Sequence, residues 1–156
     1  MKVVRTSEIF NMLQIPALGK HSNGTKLRTG TEPCFVKERG KYMFMNKPMN
    51  YLIVLEYTNK DWIIQLSNSE DCDNIYLAAI NVFDKGKGIG TELMNTILDH
   101  CDEIGKKLFL HPFPIEYTKE KYNPKKALNG FYRLRDWYKS FGMEEQSDGY
   151  MVYNPQ

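Results

Sequence analysis

Cysteine is scarce in this chain. Cys34, Cys72 and Cys101 are the three in 156 residues, with no C-x-x-C pair among them. That excludes a disulfide framework and any recognisable thiolate metal site, so no metal is expected. An odd set of thiols fits a reducing compartment and predicts a cytoplasmic protein. Long apolar runs are also missing. None approaches the roughly 20 residues a membrane helix needs, and the opening MKVVRTSEIF lacks the apolar core of a secretion signal. Nor is there an excess of one charge. Twenty-one Lys and Arg stand against 19 Asp and Glu, a formal +2, which gives no field to gather nucleic acid or an anionic membrane surface. Internal repeats are absent. What remains is 42% hydrophobic and 26% charged, the balance of a soluble globular chain, and its length predicts one domain over 1–156 with an ordinary core.

The stretch Asn74 to Cys101, NIYLAAINVFDKGKGIGTELMNTILDHC, organises the rest. Asn74 to Phe83 is a near-continuous apolar, β-prone run, the pattern of a central strand buried on both faces. Asp84 to Gly90 then places three glycines in seven residues, which permits positive φ and close approach of backbone N–H groups to a ligand. From Thr91 the spacing becomes helical. Ile89, Leu93, Ile97, Cys101 and Ile104 form one stripe, widened by Leu98, and Gly105 is the expected stop. His100 and Cys101 are neighbours on that helix, so their side chains diverge and cannot pair as base and nucleophile. Cys101 reads as core and His100 as solvated.

Around this unit the pattern predicts a first strand at Met1 to Arg5, a helix at Ser7 to Leu13 capped by Thr6 and stopped before Pro16, and a long polar loop from Leu18 to Pro33. Cys34 to Met45 reads as a hairpin turning at Arg39 and Gly40, and Tyr51 to Tyr57 with Asp61 to Leu66 as a second. Ser67 to Asp73 is an acidic, solvated turn. Lys107 to His111 is a short buried strand, followed by a polar connection from Pro112 to Asn123. Asn123 and Pro124 then start a helix whose apolar face runs to Phe141, with Gly130 as a potential kink or break. Met143 to Glu145 and Tyr150 to Tyr153 form a closing hairpin. Strands, then strand, helix, strand, helix and strands, make a mixed α/β or α+β sheet.

A helix start has four unpaired N–H groups and the positive end of the helix dipole, so a Gly-rich turn feeding it makes an anion site. Lys85 and Lys87 add charge. A P-loop needs Lys and then Ser or Thr after its last glycine, and a dinucleotide loop needs G-x-G-x-x-G; KGKGIG supplies neither. It resembles instead the R/Q-x-x-G-x-G/A acetyl-CoA loop of the GNAT superfamily of N-acetyltransferases, with Lys85 at the Arg or Gln position and Ile80 in the preceding strand. LRDWYKSFGM, Leu134 to Met143, is similar to that family's L-Y-x-x-x-G-F. Tyr138 falls on its tyrosine, Met143 replaces Phe, and Phe131 and Leu134 stand where the family often has Asn and Ala. The resemblance covers Asn74 to Tyr153.

This resemblance implies a mostly antiparallel sheet of six to seven strands flanked by helices, with a splay between the central strand and the next. It implies acetyl-CoA as cosubstrate, held by Ile80, Asn81, Val82, Lys85, Gly86, Lys87, Gly88, Ile89, Gly90, Thr91 and Tyr138, with a backbone N–H of Ile80 to Val82, freed by a bulge, on the thioester oxygen. The acetyl group passes to a primary amine on a small molecule or protein, with Tyr138 as general acid to the thiolate. No general base stands out in the pattern. Asp73, Asn74 and His111 flank the expected opening, and a water relay is the alternative. A non-catalytic CoA-binding or protein-interaction module on the same fold is the rival reading, and the chain is expected to be a monomer or homodimer.

Overall fold

The computed structural model describes residues 2–21, 24–29, 34–38, 41–44, 47–49, 54–69, 73–83, 86–112 and 124–156. In chain order they form β1 (Lys2–Arg5), α1 (Thr6–Leu13), α2 (Pro16–His21), β2 (Gly24–Thr29), β3 (Cys34–Glu38), β4 (Lys41–Phe44), β5 (Lys47–Met49), β6 (Val54–Thr58) and β7 (Trp62–Asn68). There follow β8 (Ile75–Val82), α3 (Ile89–Ile104), β9 (Leu108–Leu110), α4 (Pro124–Lys139), β10 (Glu144–Glu145) and β11 (Met151–Tyr153).

The architecture is mixed α+β. Seven strands lie in the order β10-β11-β9-β8-β7-β6-β2, with β8 in the middle as expected, and four more form a second sheet, β1-β3-β4-β5. Every described pairing is antiparallel except β8 with β9. That exception has a covalent reason. The chain leaves β8 into α3 and returns along β9, and a crossover helix joins parallel neighbours.

Register explains the core. Leu55, Leu66 and Leu77 stand opposite one another across β6, β7 and β8, so their side chains share one face. All three are buried, with Ile64, Ile75 and Leu108 beside them. The inward stripe of α3, Leu93, Met94, Ile97, Leu98 and Cys101, packs onto that face, and each fully buried aliphatic side chain contributes about 1.5–3 kcal/mol. α1 lies on the same side. The Tyr57 hydroxyl donates to the Leu13 carbonyl at 2.9 Å and accepts from the Ile15 N–H at 2.8 Å, pinning the α1–α2 junction to β6. α3 ends at Gly105 in the left-handed region (φ 67°), where the Lys106 N–H closes on the Cys101 carbonyl. Near that end Asp102 accepts hydrogen bonds from the Tyr153 hydroxyl and the Gln156 N–H, both at 2.8 Å.

Several expectations change. Leu18 to Pro33 is not one loop. Pro16 opens α2, where its missing N–H costs nothing, with Leu18 buried beneath it, and Gly24–Thr29 forms β2, an edge strand held by β6. An edge strand joins through its backbone and needs no apolar alternation. β5 was also unforeseen, its Pro48 tolerated at a sheet edge. His100 is 8% exposed rather than solvated, because α1 crosses α3 there and brings the Met12 carbonyl to 2.9 Å from Nε2. Ser67, Asn68 and Ser69 are likewise buried, since β7 runs on through Asn68. β8 is buried on one face only, with Ala78 exposed. α4 runs through Gly130 without a break. Arg39, Gly40, Lys85 and 113–123 lie outside the described residues.

Tyr57→Phe removes the hydroxyl that satisfies a buried donor and a buried acceptor. It is expected to lower the unfolding free energy by about 1–3 kcal/mol in urea titration with no change in m-value.

Candidate functional site

The turn after β8 is built as its glycines require. Gly86 (φ 89°) and Gly88 (φ 74°) are left-handed, and Gly88 is the N-cap of α3 with no side-chain cap. Its carbonyl accepts the first helical bond, from the Glu92 N–H at 3.1 Å. The N–H groups of Ile89, Gly90 and Thr91 therefore lack intrahelical acceptors and project along the positive end of the helix. A Cβ built on Gly86 or Gly88 meets nothing within 4 Å, so the outer side of the turn is open. Gly90 faces inward. A Cβ there would stand 3.5 Å from the Trp137 indole and 3.7 Å from Val82, which packs the start of α3 against α4 and the end of β8.

Beside this turn the sheet opens. β9 pairs with β8 at two positions, Ile75 with Leu108 and Tyr76 with Phe109, and ends at Leu110. β8 continues from Leu77 to Val82, about 20 Å at 3.3 Å per residue, with no strand partner on that side among the described residues. The expected splay is therefore present. β8 also carries a bulge. Gln65 opposes Ala79 and Leu66 opposes Leu77, leaving Ala78 over. The resemblance implies a bulge at Ile80 to Val82, but those three residues are in register with Ile64, Ile63 and Trp62, and the irregularity comes two residues earlier.

Tyr138 lies one residue along α4 from Trp137, with ring centroids 5.0 Å apart. It is 5% exposed and belongs to the core. Burial pushes its hydroxyl above the ordinary tyrosine range, so it keeps its proton at neutral pH. Among the described residues that hydroxyl has no hydrogen-bond partner. His111 follows β9 and stands at the mouth of the splay in an aromatic cluster. Its ring lies 3.8 Å from that of Tyr150 and 6.3 Å from that of Tyr76. Asp73 is placed differently from His111. It precedes the closed end of β8, about 13 Å from Leu77 along the strand, where the Asn74 side chain accepts from the Lys107 N–H at 2.8 Å and ties the start of β8 to β9. The structure brings His111 to the opening and leaves Asp73 and Asn74 at the other end. Lys85 lies outside the described residues, and Lys87 is exposed on the turn.

A cleft of about 580 Å³ lies along α3, with Asp61, Glu92 and Asp99 among its lining. Three carboxylates there disfavour an anion in that cleft. Cys101 is inert, since burial first, and Asp102 next to it, push its thiol up to about 12. Trp137, Tyr76 and Tyr150 stand beside these residues, although the sequence pattern assigns none of them a site role. Trp137 offered one signal, a scarce residue directly before the motif tyrosine.

No protein-family model matches this chain, and no curated protein matches it. Among solved structures, the crystal structure of the anti-CRISPR protein AcrVA5 is similar at TM-score 0.49 and 20% identity, over 65% of this chain and 98% of that one. A likeness of that degree carries no argument, and the functional reading rests on the geometry above. Among the described residues no helix is long and apolar enough to cross a membrane.

The two glycines predict opposite behaviour. Gly88→Ala must hold a Cβ at φ 74°, and is expected to cost about 1–2 kcal/mol in urea unfolding. Gly90→Ala, helical and in ordinary contact at 3.5 Å, should change stability by less than about 1 kcal/mol.

Proposed function

We propose that the protein is an N-acetyltransferase that uses acetyl-CoA and acts on a primary amine. The observation that carries this reading is the β8–turn–α3 unit. Left-handed Gly86 and Gly88 deliver the chain to an uncapped helix start beside an unpaired strand edge. The open outer side of that turn is the fit the pyrophosphate needs: backbone donors, room, and no Cβ in the way. Ile89, Gly90 and Thr91 would hold it through their N–H groups, with Lys87 adding charge, and Ile80, Asn81 and Val82 would line the pantetheine arm along the strand edge.

Bound there, acetyl-CoA supplies an activated acyl carbon and a thiolate leaving group. The chain's own part is to place and move protons. Tyr138, protonated and shielded from water, donates to sulfur as the C–S bond breaks. His111, at the mouth of the opening, takes the proton that the amine nitrogen gives up on bonding to the acyl carbon, directly or through a water. N–H groups on the free side of β8 are the donors available to the thioester oxygen. The burial of Tyr138 at 5% exposure favours one second reading, a module that binds CoA and transfers nothing.

Calorimetric titration separates these outcomes. Acetyl-CoA should bind at micromolar affinity where ATP and NAD do not, and Gly88→Glu, which puts bulk and negative charge into the turn, should abolish the signal. Undiminished affinity in that variant would sink the loop assignment. Tyr138→Phe should retain binding yet lower thiol release from acetyl-CoA by about 100-fold. Thiol release unaltered by Tyr138→Phe would favour the binding module.

A further inference from the structure

We propose that Tyr150, in the turn between β10 and β11, is a positioning residue that fixes the plane of the His111 imidazole; this rests on His111 being the proton acceptor in the reading above. The strand ladder brings the two together. Met151 opposes Leu110 in the β11–β9 pair, so one step further along the same antiparallel pair Tyr150 falls opposite His111. The rings stack 3.8 Å apart at 32°.

Tyr150 is itself held from both sides of its backbone. Its N–H donates to Asp148 Oδ1 at 3.1 Å, and its carbonyl accepts from the Gln146 N–H at 2.8 Å. Gly149, at φ 90°, lets the turn close just before it. Tyr76, on β8 at the last position where β9 pairs, sets its edge against both rings, at 6.3 Å from His111 and 6.1 Å from Tyr150. The imidazole therefore has an aromatic neighbour on each side of the splay, one from the central strand and one from the closing hairpin.

A base must meet its proton within a few tenths of an ångström and a narrow angle. A histidine just past the end of a three-residue strand has no such constraint from its own backbone. The close, tilted ring contact with Tyr150 supplies one. The contact is ring against ring, so phenylalanine should serve as well as tyrosine.

The test uses the full chain with Tyr150→Phe, Tyr150→Leu and, should leucine fail to fold, Tyr150→Gln. Thiol release is read with acetyl-CoA and a panel of amines, and the His111 ring protons are read by NMR, assigned through His111→Gln among the chain's three histidines. Tyr150→Leu should lower kcat roughly 10- to 100-fold with KM for acetyl-CoA unchanged, and should move the His111 ring signals downfield as the ring current of Tyr150 is lost. Tyr150→Phe should restore both. Full activity in Tyr150→Leu, or Tyr150→Phe as impaired as Tyr150→Leu, would overturn the positioning role while leaving the acetyltransferase reading in place. A wild-type protein that releases no thiol with any amine would instead overturn the acetyltransferase reading, and the inference that rests on it.

Discussion

One strand serves two incompatible neighbours, and the molecule is arranged around that constraint. β8 is paired with β7 over its whole length and with β9 over two residues only. The first pairing anchors it in the core through Leu77, opposite Leu66 and Leu55. The second ends at Tyr76, well before β8 itself ends at Val82. β8 keeps its place beyond Tyr76 because one edge and one face suffice. β7 supplies the hydrogen bonds, and α3 covers the apolar side.

The parts on either side of the opening are held by unrelated means. On one side Trp137 and Val82 pack at Gly90 against the start of α3, so the uncapped helix end is held by packing. On the other, β11 aligns with β9 and carries Tyr150 to His111. α3 links the two sides. Its start forms the turn, and Asp102 near its far end receives the Tyr153 hydroxyl from β11. A displacement of the helix along its axis is thus resisted at both ends.

Legibility in the sequence followed the range of the interactions. The α3 stripe, its Gly105 stop, the start of α4 at Pro124 and the hairpins of β3 with β4 and β6 with β7 are set within a few residues and could be read directly. The glycine turn was legible because positive φ is a local demand. Long-range features were not. The polar stretch Gly24–Thr29 became a strand through backbone pairing with β6 alone, which leaves no trace in side-chain pattern. His100 was buried by α1, 88 positions away in the chain, and nothing in the period of α3 distinguishes a polar residue covered by another helix from one facing water. The position of the bulge depended on register, and so did the meeting of Tyr150 with His111. Asp73 looked equivalent to His111 as a residue flanking the opening, but β8 and β9 stay paired at their starts and part only beyond Tyr76.

The unpaired edge of β8 makes one further difference. What it offers a molecule lying alongside is a row of main-chain donors and acceptors, the same groups an added strand would use. Recognition of that kind is written in chain geometry, so the Asn81 side chain can vary provided the strand keeps its path, whereas Ile80 and Val82 also pack against the core. Under the proposed reading, substitutions that bend β8 would act on binding through the backbone, whereas many that change only its exposed chemistry would go unnoticed. Mutational tolerance along this strand should therefore track backbone fidelity rather than residue type.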